Sequence, residues 1–302
     1  MSHWPSSPLS TSRDQLTETR TVSELQILVT NDDGIDSVGL AVLARAMKPL
    51  GRVTIVAPDS EYSGAGAAIG PLHQVDSVIT EVSVDGIDTA WTVSGPPALC
   101  VFYARMGAFG FAPDLIVSGI NPGANVGRAV YHSGTVGAAL TGRNGAIPGI
   151  AVSQSFADPL EDTDAARQDY EERVSRQLWD PAAEIAAEVV QGMIETDFGD
   201  VGVVNLNVPN LPINEIKGWR WTQVGTTPPW AMTDAKLIPR DDGPPGTYRM
   251  ETQWGQANEQ PPDSDTATVN EGMISLSVLS RIAAVATETP KIDSRLDTVL
   301  NH

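Results

Sequence analysis

A strand-helix-strand pattern near the start of the chain restricts the fold more than any other feature. Leu25-Gln26-Ile27-Leu28-Val29-Thr30 and Val53-Thr54-Ile55-Val56-Ala57-Pro58 are short, mostly apolar runs of strand type. Between them Leu40, Leu43, Ala44 and Met47 recur at helical spacing, and Pro49-Leu50-Gly51 closes the helix. Two strands joined through a helix lie parallel, with a right-handed crossover. Strands that are apolar on both sides need cover on both faces, so the pattern predicts an α/β, doubly wound, mostly parallel sheet. Further strands are expected at 114–118, 149–153, 201–208 and 273–279. Asp85-Gly86 marks a hairpin turn. Helices are expected from Pro96-Pro97, capped by Ser94, from Val136, and over 182–194.

At 302 residues and 41% apolar composition, the chain suits one large domain with an accessory region. We read residues 1–22, rich in Ser and Thr, as a disordered tail, and 23–224 as the α/β domain. Residues 225–302 form a C-terminal β-rich extension ending in a last strand. Within it, 225–268 is rich in Pro, Gly, Asp and Gln, and a structureless loop of that length is foreign to a compact domain. A hairpin, or an arm lying on a partner subunit, is expected there. Residues 157–175 read as an acidic solvated loop or frayed helix.

Thirty-eight acidic against 19 basic side chains give a net charge of −19. That balance argues against nucleic acid or an anionic membrane as partner. It also means that any phosphate substrate needs a local positive source, either a metal ion or oriented backbone N–H groups. Cys100 is the single cysteine, so there is no disulfide framework and no thiolate cluster. No apolar run approaches a bilayer span and no apolar signal core opens the chain, so a soluble, cytoplasmic protein is expected.

Polar clusters follow three expected parallel strands: Asn31-Asp32-Asp33-Gly34, Ser63-Gly64, and Ser118-Gly119-Ile120-Asn121. In doubly wound sheets the carboxyl ends of the strands meet on the edge where ligands bind. Asp-Asp-Gly is by itself a common turn. Adjacent acids nevertheless repel unless a cation neutralises them, and an all-oxygen donor set suits Mg²⁺, Mn²⁺ or Ca²⁺. Gly64-x-Gly66-x-x-x-Gly70 has the wrong spacing and position for a dinucleotide fingerprint, and no Walker A sequence occurs. His132-Ser133 lacks a nucleophile elbow, and four histidines with one cysteine make a poor zinc set.

Ile27 to Ile35, Val56-Ala57-Pro58-Asp59 with Ser63-Gly64-Ala65, Val117 to Gly127, and Tyr131-His132-Ser133-Gly134-Thr135-Val136 together resemble the SurE family of 5′-nucleotidases. The likeness continues more weakly through Asn205-Leu206-Asn207-Val208-Pro209 and Asp265-Thr266-Ala267 with Glu271-Gly272. It implies one divalent cation, Mg²⁺ or Mn²⁺, on Asp32, Asp33, Ser63 and Asn121. Ca²⁺ is a possible substitute in a crystal. It also implies phosphate contacts from Asn31, Asn125, Ser133 and the backbone around Gly64, Gly134 and Thr135. Asp32, Asn125 and Ser133 are the catalytic candidates, with Asp32 assigned to take a proton from the attacking water. Hydrolysis of nucleoside 5′-monophosphates, with 3′ esters as a further possibility, is the expected reaction. The alternatives are another phosphate ester or short polyphosphate, and a metal-bound regulatory protein without turnover. Gly66 and Arg128-Ala129 depart from the family pattern, which leaves the leaving group open. Relatives exchange C-terminal segments, which implies a homodimer or homotetramer. Trp219, Trp221, Trp230 and Trp254 are read as core or interface packing, the other reading being a platform for the substrate's base.

Overall fold

The computed structural model describes residues 25–74, 76–156, 170–196, 202–228, 230–240, 242–280, 282 and 290–300. The tail expected at 1–22 and residues 157–169 of the acidic segment lie outside them. The first strand β1 (Gln26–Thr30) leads through α1 (Val38–Met47) to β2 (Arg52–Pro58). A hairpin, β3 (Ile79–Val84) and β4 (Ile87–Val93), turns at Asp85-Gly86, and α2 (Pro97–Arg105) follows. Next come β5 (Leu115–Pro122), α3 (Gly134–Asn144), β6 (Gly149–Gln154), α4 (Tyr170–Ser175), α5 (Trp179–Glu195) and β7 (Val203–Val208). The remainder comprises β8 (Trp219–Trp221), β9 (Trp230–Pro239), β10 (Tyr248–Ala257), α6 (Asp265–Asn270), β11 (Ile274–Leu279) and α7 (Pro290–Leu300).

Nine strands form one sheet in the order β3-β4-β2-β1-β5-β6-β7-β11-β8. β1 pairs in parallel with β2 on one side and with β5 on the other. The chain therefore winds outward in both directions from the β1/β5 boundary, which is the switch point where a ligand crevice opens. Successive residues of β1 serve opposite cores. Ile27 and Val29 pack with α1 and α5, whereas Leu28 packs with α2. This two-sided burial is why the strand is apolar throughout, and truncating Leu28 to Ala is worth about 2–5 kcal/mol.

Two local expectations need amendment. Ser94 does not cap α2: the capping position is Pro96, with no side-chain bond. Ser94 stands too early in the chain, and its hydroxyl accepts instead from the Val78 N–H at 2.7 Å. The extension is also less purely β than its composition suggests. Its hairpin β9–β10 forms a separate antiparallel sheet, but α6 and α7 flank the last strand.

Candidate active site

The turn after β1 is fixed from several sides. Asn31 is fully buried and its side-chain amide donates to the Gly34 carbonyl at 3.0 Å. The Tyr62 N–H donates to the Asp32 carbonyl at 2.7 Å, and the Ile35 N–H to the Pro58 carbonyl at 2.9 Å. These two backbone bonds draw the loop after β2, with Glu61 and Ser63, onto the acidic turn. The Asp32 carboxylate lies against the N-terminus of α3, where it accepts from the Thr135 hydroxyl at 2.5 Å, and the nearby backbone N–H groups of Gly134 and Thr135 favour its ionised form. A Cβ on Gly134 would stand 2.7 Å from Asp32 Oδ2, so only glycine admits the carboxylate here. The positive end of the helix favours the anion it receives.

Asn121 arrives from β5. One extra residue between Ser118 and Asn121 bulges that strand against β6, which re-aims the side chains beyond it. Gly119 is required at the bulge, since a Cβ would come within 2.2 Å of the Val152 carbonyl oxygen. The Asn121 amide donates to the Gly123 carbonyl at 2.7 Å, and its Oδ1 lies 3.3 Å from the Thr135 hydroxyl. Asp32 and Asn121 thus meet through Thr135. Asp33 Oδ2 is buried without a hydrogen-bond partner among the described residues. Burial, reinforced by the charges of Asp32 and Glu61, pushes the Asp33 carboxyl up to about 8. Burial raises Asp32 as well, with Thr135 opposing it. Together they form an anionic pocket whose ionised state asks for a cation.

No group of three His, Cys, Asp or Glu side chains among the described residues is arranged to hold a metal. The fitting donors are mixed: the unpartnered Asp33 oxygen, the second Asp32 oxygen and Asn121 Oδ1. Such a set suits a hard cation. Ser63 is not brought onto them, because it is exposed and its hydroxyl donates to Glu61 at 2.8 Å. Gly64 is exposed with open space around its Cα.

Ser133 caps α3. Its oxygen accepts from the Val136 N–H at 3.1 Å, leaving its own O–H to donate elsewhere. Asn125 is held by β7: its N–H donates to Asn207 Oδ1 at 2.8 Å, and its carbonyl accepts from Asn205 at 2.9 Å and Asn207 at 3.2 Å. Its own amide donates to the Ser153 hydroxyl at 2.8 Å. Asp265 joins the loop after Asn125 to the C-terminal extension, accepting from the N–H groups of Gly127 at 2.8 Å and Gly225 at 3.0 Å. Sequence reasoning gave no role to Glu61, Asn205, Asn207 or Asp265. The available signal was two asparagines at period two inside an apolar strand, since buried amides require partners.

The family model described as "Survival protein SurE" matches residues 27–229. The chain belongs to the SurE family. The 5′/3′-nucleotidase SurE of Cronobacter sakazakii is 32% identical over 255 residues, covering 84% of this chain and 90% of the relative. That of Yersinia pseudotuberculosis is 32% identical over 260 residues, covering 84% and 89%. The crystal structure of the SurE protein from Aquifex aeolicus aligns with a TM-score of 0.68 at 26% identity, over 91% of this chain and 99% of the other. The SurE resemblance and the mostly parallel α/β fold expected from the sequence are both borne out.

Outside the pocket, Trp219 and Trp221 are 60% and 55% exposed, so they are not core. They line a cavity of about 650 Å³ with Ile185, Val189 and Met193 of α5, which shares no residue with the strand-end site. The side chains of Trp230 and Trp254 lie outside the described residues. No helix among the described residues is long and apolar enough to cross a membrane.

Proposed function

We propose that this SurE-family enzyme is a divalent-metal-dependent phosphomonoesterase acting on nucleoside 5′- and 3′-monophosphates. The observation that carries the reading is the buried, unpartnered Asp33 oxygen beside Asp32 at the mouth of α3. The names of the curated relatives support the reaction class. Asp32, Asp33 and Asn121 would hold the ion, and Ser63 would join them only once its hydroxyl leaves Glu61. Mg²⁺ or Mn²⁺ would supply the positive charge that a −19 chain lacks, polarise the phosphoryl oxygens and acidify bound water. Asp32 would take the proton of the attacking water as the new P–O bond forms and the ester P–O bond breaks, and the leaving alkoxide would take a proton from solvent to depart as the alcohol. Ser133, Asn125 and the N–H group at Gly64 would stabilise charge on the phosphoryl oxygens, the N–H groups at Gly134 and Thr135 would act through Asp32, and Asn31 holds the turn.

A panel of nucleotides, sugar phosphates and short polyphosphates, assayed with Mg²⁺ or Mn²⁺ and again with EDTA, tests the reading. Phosphate release that EDTA abolishes is expected, and release from no ester with metal present would leave only a non-catalytic role. The separate hairpin β9–β10, with Leu237, Tyr248 and Met250 exposed, supports a dimer arm. Replacing 230–257 by a short linker, which spares Asp265, is expected to lower the mass measured by light scattering.

A further inference from the structure

One flank of the pocket is formed by residues to which neither the family resemblance nor the strand-end pattern gives a part. Phe156 stands two residues beyond β6 and lies against the turn that follows Asn121: a Cβ on Gly123 would stand 3.3 Å from the Phe156 ring and 3.8 Å from the Asn121 amide. The Arg173 guanidinium is 4.0 Å from the centroid of the Phe156 ring, a close cation–π contact. Tyr170 packs edge-on against the same ring, with centroids 6.1 Å apart and planes at 75°. The short helix α4 that supplies Tyr170 and Arg173 has no buried residue, so it adds nothing to the core. Tyr170 itself is 37% exposed. Its phenol also experiences the charges of Asp33, Glu61 and Asp32, which together with burial keep it protonated. A neutral ring therefore stands beside an acidic pocket, oriented by a second ring and a guanidinium.

We propose that Tyr170, braced by Phe156 and Arg173, is a leaving-group subsite that selects phosphate esters carrying a flat aromatic group such as a nucleobase. The physical reason is a division between the two ends of the substrate. The phosphoryl end needs the cation and N–H donors. The far end is uncharged, and Glu61, which the cation does not hold, would repel a second anion there. A neutral π-face binds an uncharged planar base without opposing that field, and stacking tolerates differences among bases.

The inference rests on the phosphomonoesterase reading, and the experiment separates the two. Steady-state kinetics of the full chain with Mn²⁺ compare adenosine 5′-monophosphate with glycerol 2-phosphate, whose leaving group has no ring. For Tyr170→Ala the ratio of kcat/KM between these esters is expected to fall about tenfold, through KM rather than kcat. Tyr170→Phe restores the ratio, whereas Tyr170→Leu, which keeps apolar packing against Phe156, does not. An unchanged ratio, or equal losses on both esters, overturns the subsite and leaves the phosphatase reading standing. If the wild type hydrolyses neither ester, that reading fails, and calorimetric titration with adenosine then decides the subsite. Binding weakened about tenfold by Tyr170→Ala sustains it; equal binding, or none to the wild type, overturns it.

Discussion

On one side of the pocket Asp32, Thr135 and Asn125 are nearly or fully buried, and each is tied to backbone or to a neighbouring strand. On the other side Tyr170 and Arg173 stand on a six-residue helix without a buried residue. The first wall is made from strand ends and a helix N-terminus, so moving one of its atoms disturbs the sheet. The second is made from a segment that can change without disturbing the core. On the proposed reading the contrast separates the two tasks of an ester hydrolase: the bond-breaking groups would be built into the fold, and the groups that choose the leaving portion attached to it.

The largest expected effect breaks the first wall. Asp33→Asn should lower metal-dependent turnover at least about 1,000-fold, since it removes a charge from the cation's donors. The same change should raise the thermal midpoint of metal-free protein at pH 8 by roughly 2–6 °C, because a costly buried charge disappears. Full turnover in this variant would show that the chemistry lies elsewhere. Next in size is Asn125→Ala, expected to reduce kcat about 100-fold with the circular dichroism spectrum unchanged. Thr135→Val tests whether the wall depends on its internal bonds. Losing the hydroxyl that joins Asp32 and Asn121 should weaken Mn²⁺ binding about 10-fold to 100-fold by calorimetry.

The pH dependence of stability sharpens the same point. The Asp33 carboxyl lies near 8 in the fold against 3.8 in the free side chain. Its contribution is therefore fullest below about pH 4 and is lost as pH rises through 8. Metal-free protein should melt lower at pH 8 than at pH 5 by this route, and saturating Mn²⁺ should cancel the difference. The smallest effect belongs to the face bearing the tryptophans. Trp219→Ala and Trp221→Ala should change kcat/KM for nucleotides less than about twofold, because their cavity shares no residue with the site. A large loss of base selectivity would revive the platform reading for these residues.

Much of the first wall was legible in the sequence because its signals are local. An apolar run followed at once by Asn31-Asp32-Asp33-Gly34 specifies both a buried strand and what stands at its end. The position of Asn121 depends on a bulge, and that of Asn125 on β7, some eighty residues further along; strand pairings of that kind do not show in local periodicity. Ser94 misled for a related reason, since an N-cap and a bond across a hairpin use the same hydroxyl. The second wall was illegible because Tyr170 and Arg173 belong to a polar stretch with no hydrophobic period, and only folding places them beside Phe156.

Asp265 also bears on the order in which the molecule can become competent. Asp32, Asn121, Asn125 and Ser133 all lie in the first half of the chain and leave the ribosome early. The carboxylate that fastens the Gly127 amide leaves it 138 residues later. A nascent chain can therefore carry every reacting group while the loop beyond Asn125 still lacks its anchor. Full activity would then wait for the segment that carries Asp265.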